Sequence, residues 1–201
     1  MPAPLVPAAL AFAPDGTPYS REYGDPYHSA AGGPAQARHV FLGGNGLPGR
    51  WAGRRLFTVL ETGFGLGLNF LVTWAAWRED PMRCERLHFV SLEKHPFRGP
   101  DLERAHAGYP ELAPLSAQLR AAWPLLVPGT HRLEFDHGRV VLTLAFADVA
   151  AALPQLRAAA DAIYLDGFAP AKNPEMWSRA AMKALGRRAA SGATAATWSA
   201  A

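Results

Sequence analysis

Three glycines at alternate positions, Gly63, Gly65 and Gly67, follow a short apolar run and precede a helical repeat, an order that constrains the fold more than any other feature of the chain. Leu56 to Leu60 reads as a buried strand. From Asn69 onward, Phe70, Leu71, Trp74 and Trp77 recur three or four residues apart, the spacing of one helix face. Such a succession brings the free N–H groups and partial positive charge of a helix start to the end of a strand. Glycine there allows torsions closed to other residues and close approach of a ligand. A tight connection that holds nothing has the same pattern, so the motif alone leaves both readings open.

A chain of 201 residues suits a single domain with a sizeable core. The net charge of +3 suits a polyanionic partner without demanding one. Cys84 stands alone, which excludes a disulfide framework and a cysteine zinc site. The seven histidines show no ligand spacing, so no structural metal is expected. No apolar run approaches the roughly 20 residues of a membrane span. The N-terminus lacks a basic segment ahead of its apolar residues, so no signal peptide is expected and the cytoplasm is the default location.

Residues 1–50 are rich in Pro and Gly and read as a leader packing over the ligand site, with the domain proper spanning 51–201. Tyr19, Tyr23 and Tyr27 either cover a ligand pocket or pack this leader onto the domain. Arg50, Arg54 and Arg55 form a solvated edge or a grip on phosphate. Leu87 to Glu93 is a second strand, completing a βαβ unit with a right-handed crossover and a parallel pair. Asp101 to Trp123 reads as two short helices broken by Pro110 and Pro114. His131–Phe135 and Arg139–Phe146 form a hairpin about Asp136-His137-Gly138, with Val140, Leu142, Leu144 and Phe146 on one face. Ala150 to Ala160 reads as a helix interrupted by Pro154, and Ala162 to Leu165 as a buried strand. Asn173 is placed to cap a helix with Pro174 in its first turn, which buries Trp177, Ala181, Ala184 and Leu185 and ends near Gly192. A last strand covers Ala193 to Trp198. Strands alternating with helices predict an α/β domain with a mainly parallel sheet.

Four successive strands end in an acid: Glu61, Glu93, Asp148 and Asp166. Ligands of open parallel sheets sit at the carboxyl ends of the strands, so all four share one rim. Their mutual repulsion is costly unless a ligand or hydrogen bonds absorb it. Glu93 is placed to accept from both ribose hydroxyls of an adenosine, and Asp148 from an adenine amino group. A dinucleotide and S-adenosylmethionine both fit this arrangement. The dinucleotide fingerprint is G-x-G-x-x-G, whereas these glycines run G-x-G-x-G behind a carboxylate. Glu61 beside the cofactor tail suits an ammonium and a sulfonium better than a pyrophosphate, which favours the methyl donor.

The stretches Glu61-Thr62-Gly63-Phe64-Gly65-Leu66-Gly67-Leu68-Asn69-Phe70-Leu71, Phe41-Leu42-Gly43-Gly44-Asn45, Ser91-Leu92-Glu93-Lys94 and, most specifically, Leu165-Asp166-Gly167-Phe168-Ala169-Pro170-Ala171-Lys172-Asn173-Pro174-Glu175-Met176-Trp177 closely resemble one family. It is the tRNA aminomethyl-uridine methyltransferases, the methyltransferase half of the bifunctional MnmC proteins and its stand-alone relative MnmD. The pattern departs at Leu66, where threonine is expected; a residue between two glycines changes without loss of the loop. The resemblance implies a Rossmann-like class I methyltransferase fold. It implies S-adenosylmethionine as cofactor, held by Tyr27, Glu61, Gly63, Phe64, Gly65, Gly67, Asn69, Glu93, Lys94 and Asp148.

The implied reaction methylates the exocyclic amine of 5-aminomethyl-(2-thio)uridine at the wobble position, in the anticodon loop of tRNA. Asp166 is then the candidate to hold the amine and accept its proton. Phe168 is placed to stack on the target base. Lys172 either meets a phosphate or orders its loop, and Asn173 completes the substrate side. Chains of this fold usually continue with a helix and an antiparallel strand pair, which are expected to be lacking here, so a fragment or a truncated protein is expected. FAD enters only if an oxidase domain follows in the parent chain. The rival readings are a non-catalytic tRNA- or nucleotide-binding remnant and, with less support, a nicotinamide-dependent oxidoreductase.

Overall fold

A small antiparallel sheet, β1 (Ala11–Phe12), β2 (Pro18–Ser20) and β3 (Asp25–Pro26), precedes a helical turn, α1 (Gly33–Gln36), that runs into a π-helical segment, Ala37–Gly43. The computed structural model describes residues 5–29 and 32–198. After this leader come β4 (Leu56–Thr62), α2 (Leu68–Glu79), β5 (Arg86–Glu93), α3 (Gly99–His106), α4 (Ala113–Ala121), β6 (Gly129–Phe135), β7 (Val140–Phe146), α5 (Val149–Ala152), β8 (Ala160–Leu165), α6 (Arg179–Gly186) and β9 (Ala189–Thr197). The main sheet runs β6-β7-β5-β4-β8-β9, parallel except for β6, which pairs antiparallel with β7.

Successive residues of a strand face opposite sides of a sheet, and here both sides are covered. Phe57, Val59, Phe89, Leu142 and Tyr164 belong to one cluster, with residues of α2, α3 and α4. Leu60, Val90, Leu92, Ala145 and Ile163 belong to the other, with Ala181, Ala184 and Leu185 of α6. β7 is therefore buried on both faces, Val140, Leu142 and Leu144 in the first cluster and Ala145 in the second, with Val141 buried as well. α2 is buried nearly all round in its first two turns, where the π-helical segment and α4 cover the side away from the sheet.

The hairpin turn is as read. Asp136 and His137 take positive φ of 49° and 58°, which the right-handed twist of the paired strands requires. Three other expectations are corrected. The helix read over Ala150–Ala160 shrinks to α5, since Pro154 has no N–H to continue the ladder. The helix expected from Asn173 starts only at Arg179, where Ser178 Oγ accepts from Ala181 N–H at 3.2 Å, and it ends at Gly186. The last strand begins four residues before Ala193 and passes an irregularity opposite Ala160–Ala162.

The arginine cluster before β4 proves structural at two of its positions. Arg50 donates to the carbonyls of Asn45 at 3.1 Å, Asp161 at 3.0 Å and Gly192 at 2.8 Å, and so ties the leader to β8 and β9. Arg54 pairs with Asp161 at 2.9 Å, whose second oxygen accepts from Thr58 N–H.

Candidate active site

From β4 the chain goes to β5 and then β7 on one side of the sheet, and returns to β8 and β9 on the other. The crevice beyond the carboxyl ends of β4 and β8 is thus the switch point at which parallel sheets bind ligands. The glycine loop spans this crevice. Gly63 has φ +87°, and a Cβ there would lie 2.3 Å from the Asp166 carbonyl oxygen. Gly63 N–H donates to Leu92 O at 2.9 Å, and Asp166 N–H to Thr62 O at 3.2 Å, so the backbones of three strand ends are locked together. Gly67, at φ +73°, begins α2, and a Cβ there would press on the Phe64 ring at 2.7 Å.

A cavity of about 330 Å³ opens here. The structure brings Tyr27, Gly63, Phe64, Gly65, Asn69, Glu93, Lys94, Asp148, Asp166, Phe168 and Asn173 to its wall. Glu93 accepts from Gly65 N–H at 2.8 Å through one oxygen and from His95 N–H at 2.7 Å through the other. It therefore shapes the loop while each oxygen keeps a lone pair for a ligand hydroxyl. Asp148 caps α5 with one oxygen and pairs with Lys94 Nζ at 3.1 Å through the other. Tyr27 packs edge-on against Phe168, with ring centroids 5.2 Å apart, and a Cβ at Gly65 would meet its ring at 3.4 Å.

Three expected site residues stand elsewhere. Glu61 is fully buried beneath the cavity and does not line it. Its carboxyl accepts from Asn69 Nδ2 at 2.9 Å and Ser91 Oγ at 2.6 Å, since a strand-interior side chain one residue before the rim cannot reach over Thr62. Gly67 shapes the helix start behind the wall. Lys172 turns away from the cavity: its Nζ donates to Asp25 Oδ1 at 2.9 Å and to the Gly24 carbonyl, the loop-ordering alternative of the two read from sequence.

Two carboxyls are electrostatically unusual. Asp166 is pushed up to about 7 by desolvation, against the pull of the Asn69 amide 2.7 Å from its Oδ2. Burial, with the charge of Asp166 next, holds Glu61 well above the usual carboxylate range, against the hydrogen bonds of Ser91 and Asn69. A carboxyl poised near neutrality, at a cavity wall, can exchange a proton with a bound amine.

Sequence reasoning missed Asp25, His28 and Trp177, and left Tyr23 between covering the pocket and packing the leader. Asp25 is 2% exposed, yet it joins leader to rim, accepting from Lys172 and from Ala169 N–H at 2.9 Å. Tyr23 stacks on Phe168 at 4.5 Å and 22°. His28 Nδ1 faces the Ser29 carbonyl and must donate to it, which leaves Nε2 to accept from Tyr109 Oη–H; burial lowers the pKa of this neutral ring. Trp177 Nε1 donates to Phe168 O at 2.8 Å and so holds residues 173–178 in the loop. The only local signal was the tyrosine density of the leader. Replacing Asp25 with Ala is expected to release the half-exposed Lys172 ammonium to water and to leave the Ala169 N–H without its acceptor. A loss of about 1–2 kcal/mol, read by thermal melting, should accompany faster amide exchange over 166–173.

Among the described residues no helix is long and apolar enough to cross a membrane, and no group of three or more His, Cys, Asp or Glu side chains is placed to hold a metal ion.

Comparison with known proteins adds three findings. A family profile described as S-adenosyl-L-methionine-dependent methyltransferase matches residues 110–201. The chain is 65% identical over 201 residues to the "tRNA 5-methylaminomethyl-2-thiouridine biosynthesis bifunctional protein MnmC" of Paraburkholderia phytofirmans, and 63% identical over 196 residues to the protein of the same name from Aromatoleum aromaticum. Each match covers 98% of this chain and 31% of the relative, so the chain spans about a third of their length. The crystal structure of MNMC2 from Aquifex aeolicus superposes with a TM-score of 0.72 at 24% identity, covering 95% of this chain and 59% of that one, a likeness of fold. In strand order and glycine loop the chain has the frame of a methyltransferase, and in sequence it is similar over nearly its whole length to part of the bifunctional MnmC proteins and over residues 110–201 to S-adenosyl-L-methionine-dependent methyltransferases.

Proposed function

We propose that this chain transfers a methyl group from S-adenosylmethionine to the exocyclic amine of 5-aminomethyl-(2-thio)uridine at the tRNA wobble position, giving the 5-methylaminomethyl base. The observation that carries this reading is Asp166, a carboxyl poised near neutrality at the switch point beside the glycine loop. The site's residues fit the cofactor. Glycine backbone replaces side chains where its tail would lie, Glu93 has spare lone pairs for a vicinal diol, and the wall offers carboxylates to a cation. When bound, S-adenosylmethionine supplies an electrophilic methyl on a sulfonium, which leaves with the bonding pair on sulfur.

The protein's own part is positioning and proton transfer. The substrate amine must lose a proton to attack, and free alkylamines are mostly protonated at neutral pH. Ionised Asp166 accepts a hydrogen bond from the ammonium, takes one proton from it and aligns the lone pair so freed, and the methylated nitrogen keeps its remaining two protons as a cationic amine. Phe168, held between Tyr23 and Tyr27, presents an aromatic surface for a base splayed out of the anticodon loop. In this reading residues 1–50 form a cover over the cofactor, residues 51–201 form the catalytic unit, and the enzyme works in the cytoplasm on tRNA. Asn173 on the wall contributes to the substrate side.

The test is incubation of the protein with hypomodified tRNA and the methyl donor, followed by nucleoside mass spectrometry. Appearance of the methylaminomethyl nucleoside supports the reading; its absence, with the donor bound, defeats it.

A further inference from the structure

Asn69 sits at the start of α2 with both amide hydrogens committed, one to Glu61 Oε1 at 2.9 Å and the other to Asp166 Oδ2 at 2.7 Å. The opposite amide orientation would set its oxygen against two carboxyl oxygens, so the contacts themselves determine which end is nitrogen. Glu61 is anchored in turn by Ser91 Oγ, which donates to Oε2 at 2.6 Å. Ser91, Glu61, Asn69 and Asp166 therefore form one chain of hydrogen bonds from β5 through β4 and α2 to the end of β8, and only its last two members reach the cavity.

The geometry points to Asn69 as the positioning residue for Asp166, with buried Glu61 orienting the Asn69 amide from behind. This inference rests on the reading of Asp166 as proton acceptor. It departs from the role that the resemblance implied for both residues, contact with the cofactor. The amide does two things for Asp166. It fixes one carboxyl oxygen, so that the other is presented to the ligand, and it donates to the charged form, which keeps the carboxyl from rising further in a desolvated wall. The other titratable groups around Asp166 are Glu93 on β5, Tyr164 within β8, Tyr23, Tyr27 and His28 from the leader, and Lys94 and Asp148 across the cavity. None of them hydrogen-bonds the Asp166 carboxyl among the described residues, so Asn69 is the contact that fixes its direction and opposes the desolvation that raises it.

The test compares Asn69→Ala, Asp166→Asn and the double variant in the full protein, with Asn69→Ser as a second, gentler replacement. Asn69→Ala is expected to lose about tenfold in turnover at pH 7 and to recover most of it above pH 9, because the carboxyl then ionises only at higher pH. The double variant should be no slower than Asp166→Asn alone, since a residue that acts through another adds nothing once that other is gone. A readout independent of turnover is the carboxyl carbon shift of Asp166 in carbon-13-labelled protein, assigned by its loss in Asp166→Asn. Its midpoint should rise in Asn69→Ala and in Asn69→Ser. An unchanged Asp166 midpoint, or a pH-independent loss that multiplies with that of Asp166→Asn, overturns the inference. Wild-type turnover in Asp166→Asn would instead sink the reading of Asp166 itself, a separate result.

Discussion

Replacing Asp166 with Asn is expected to keep S-adenosylmethionine binding within about twofold and to lower turnover by roughly 10²–10³, or about 3–4 kcal/mol of barrier. Asn is nearly isosteric, and its oxygen can still accept from the Asn69 amide, so the wall keeps its shape while the proton acceptor is lost. The pH dependence is a sharper check. In the proposed reaction Asp166 acts ionised, and it is pushed up to about 7, so the rate should fall as pH drops through about 7. In Asp166→Asn that limb should vanish and leave the amine's own titration. Stability moves the other way. Between about pH 4 and 7 the folded chain holds a proton that the unfolded chain has released, so Asp166 erodes stability as pH rises through that window, and the loss is complete above it. At pH 8 the variant should melt above the parent. A variant that retains parental turnover, or that melts below the parent at pH 8, is incompatible with this account.

Gly63→Ala is expected to be the most damaging single methyl in the chain, costing at least about 3 kcal/mol and roughly 6–12 °C in melting temperature. Two effects add. An L-residue at φ +87° is strained by about 1–2 kcal/mol. The new Cβ would also lie 2.3 Å from the Asp166 carbonyl oxygen, which cannot retreat because the neighbouring N–H is bonded to Thr62 O. β4 and β8 must part at the rim, and Asp166 moves with them, so turnover should fall more than a hundredfold. Gly53→Ala is the control: φ is +67° with nothing within 4 Å of the added carbon, so only about 1 kcal/mol of backbone strain is expected. Melting temperatures of the two variants within about 2 °C of each other would refute the clash.

What could be read in the sequence was what is local. The strand, glycine turn and helix from Leu56 to Glu79 write their periodicities into adjacent residues, and the acids Glu93, Asp148 and Asp166, at or just past strand ends, mark the cavity rim. The helix misread over 150–160 followed an alanine-rich composition that favours helix, which the missing N–H of Pro154 overrides. The cap misplaced at Asn173 is of the same kind: Ser178 is an equally good cap, and the choice is made by Trp177 reaching back to Phe168. Glu61 was given to the cofactor because spacing shows that a residue is near a rim, not how deep it sits. Asp25 with Lys172 and Arg50 with Thr194 join positions 147 and 144 residues apart, a distance over which one sequence carries no pattern.

The bond between Asp25 and Lys172 also bears on the order of catalytic events. One ion pair, buried on the Asp25 side and open to solvent on the Lys172 side, fastens the leader to the loop that carries Asp166 and Phe168, so the two ends of the cavity share a hinge point. If either is displaced to admit a ligand, the other is loosened. The expected kinetic consequence is a compulsory sequence, with the nucleoside departing before the spent methyl donor can be exchanged, rather than two independent doors.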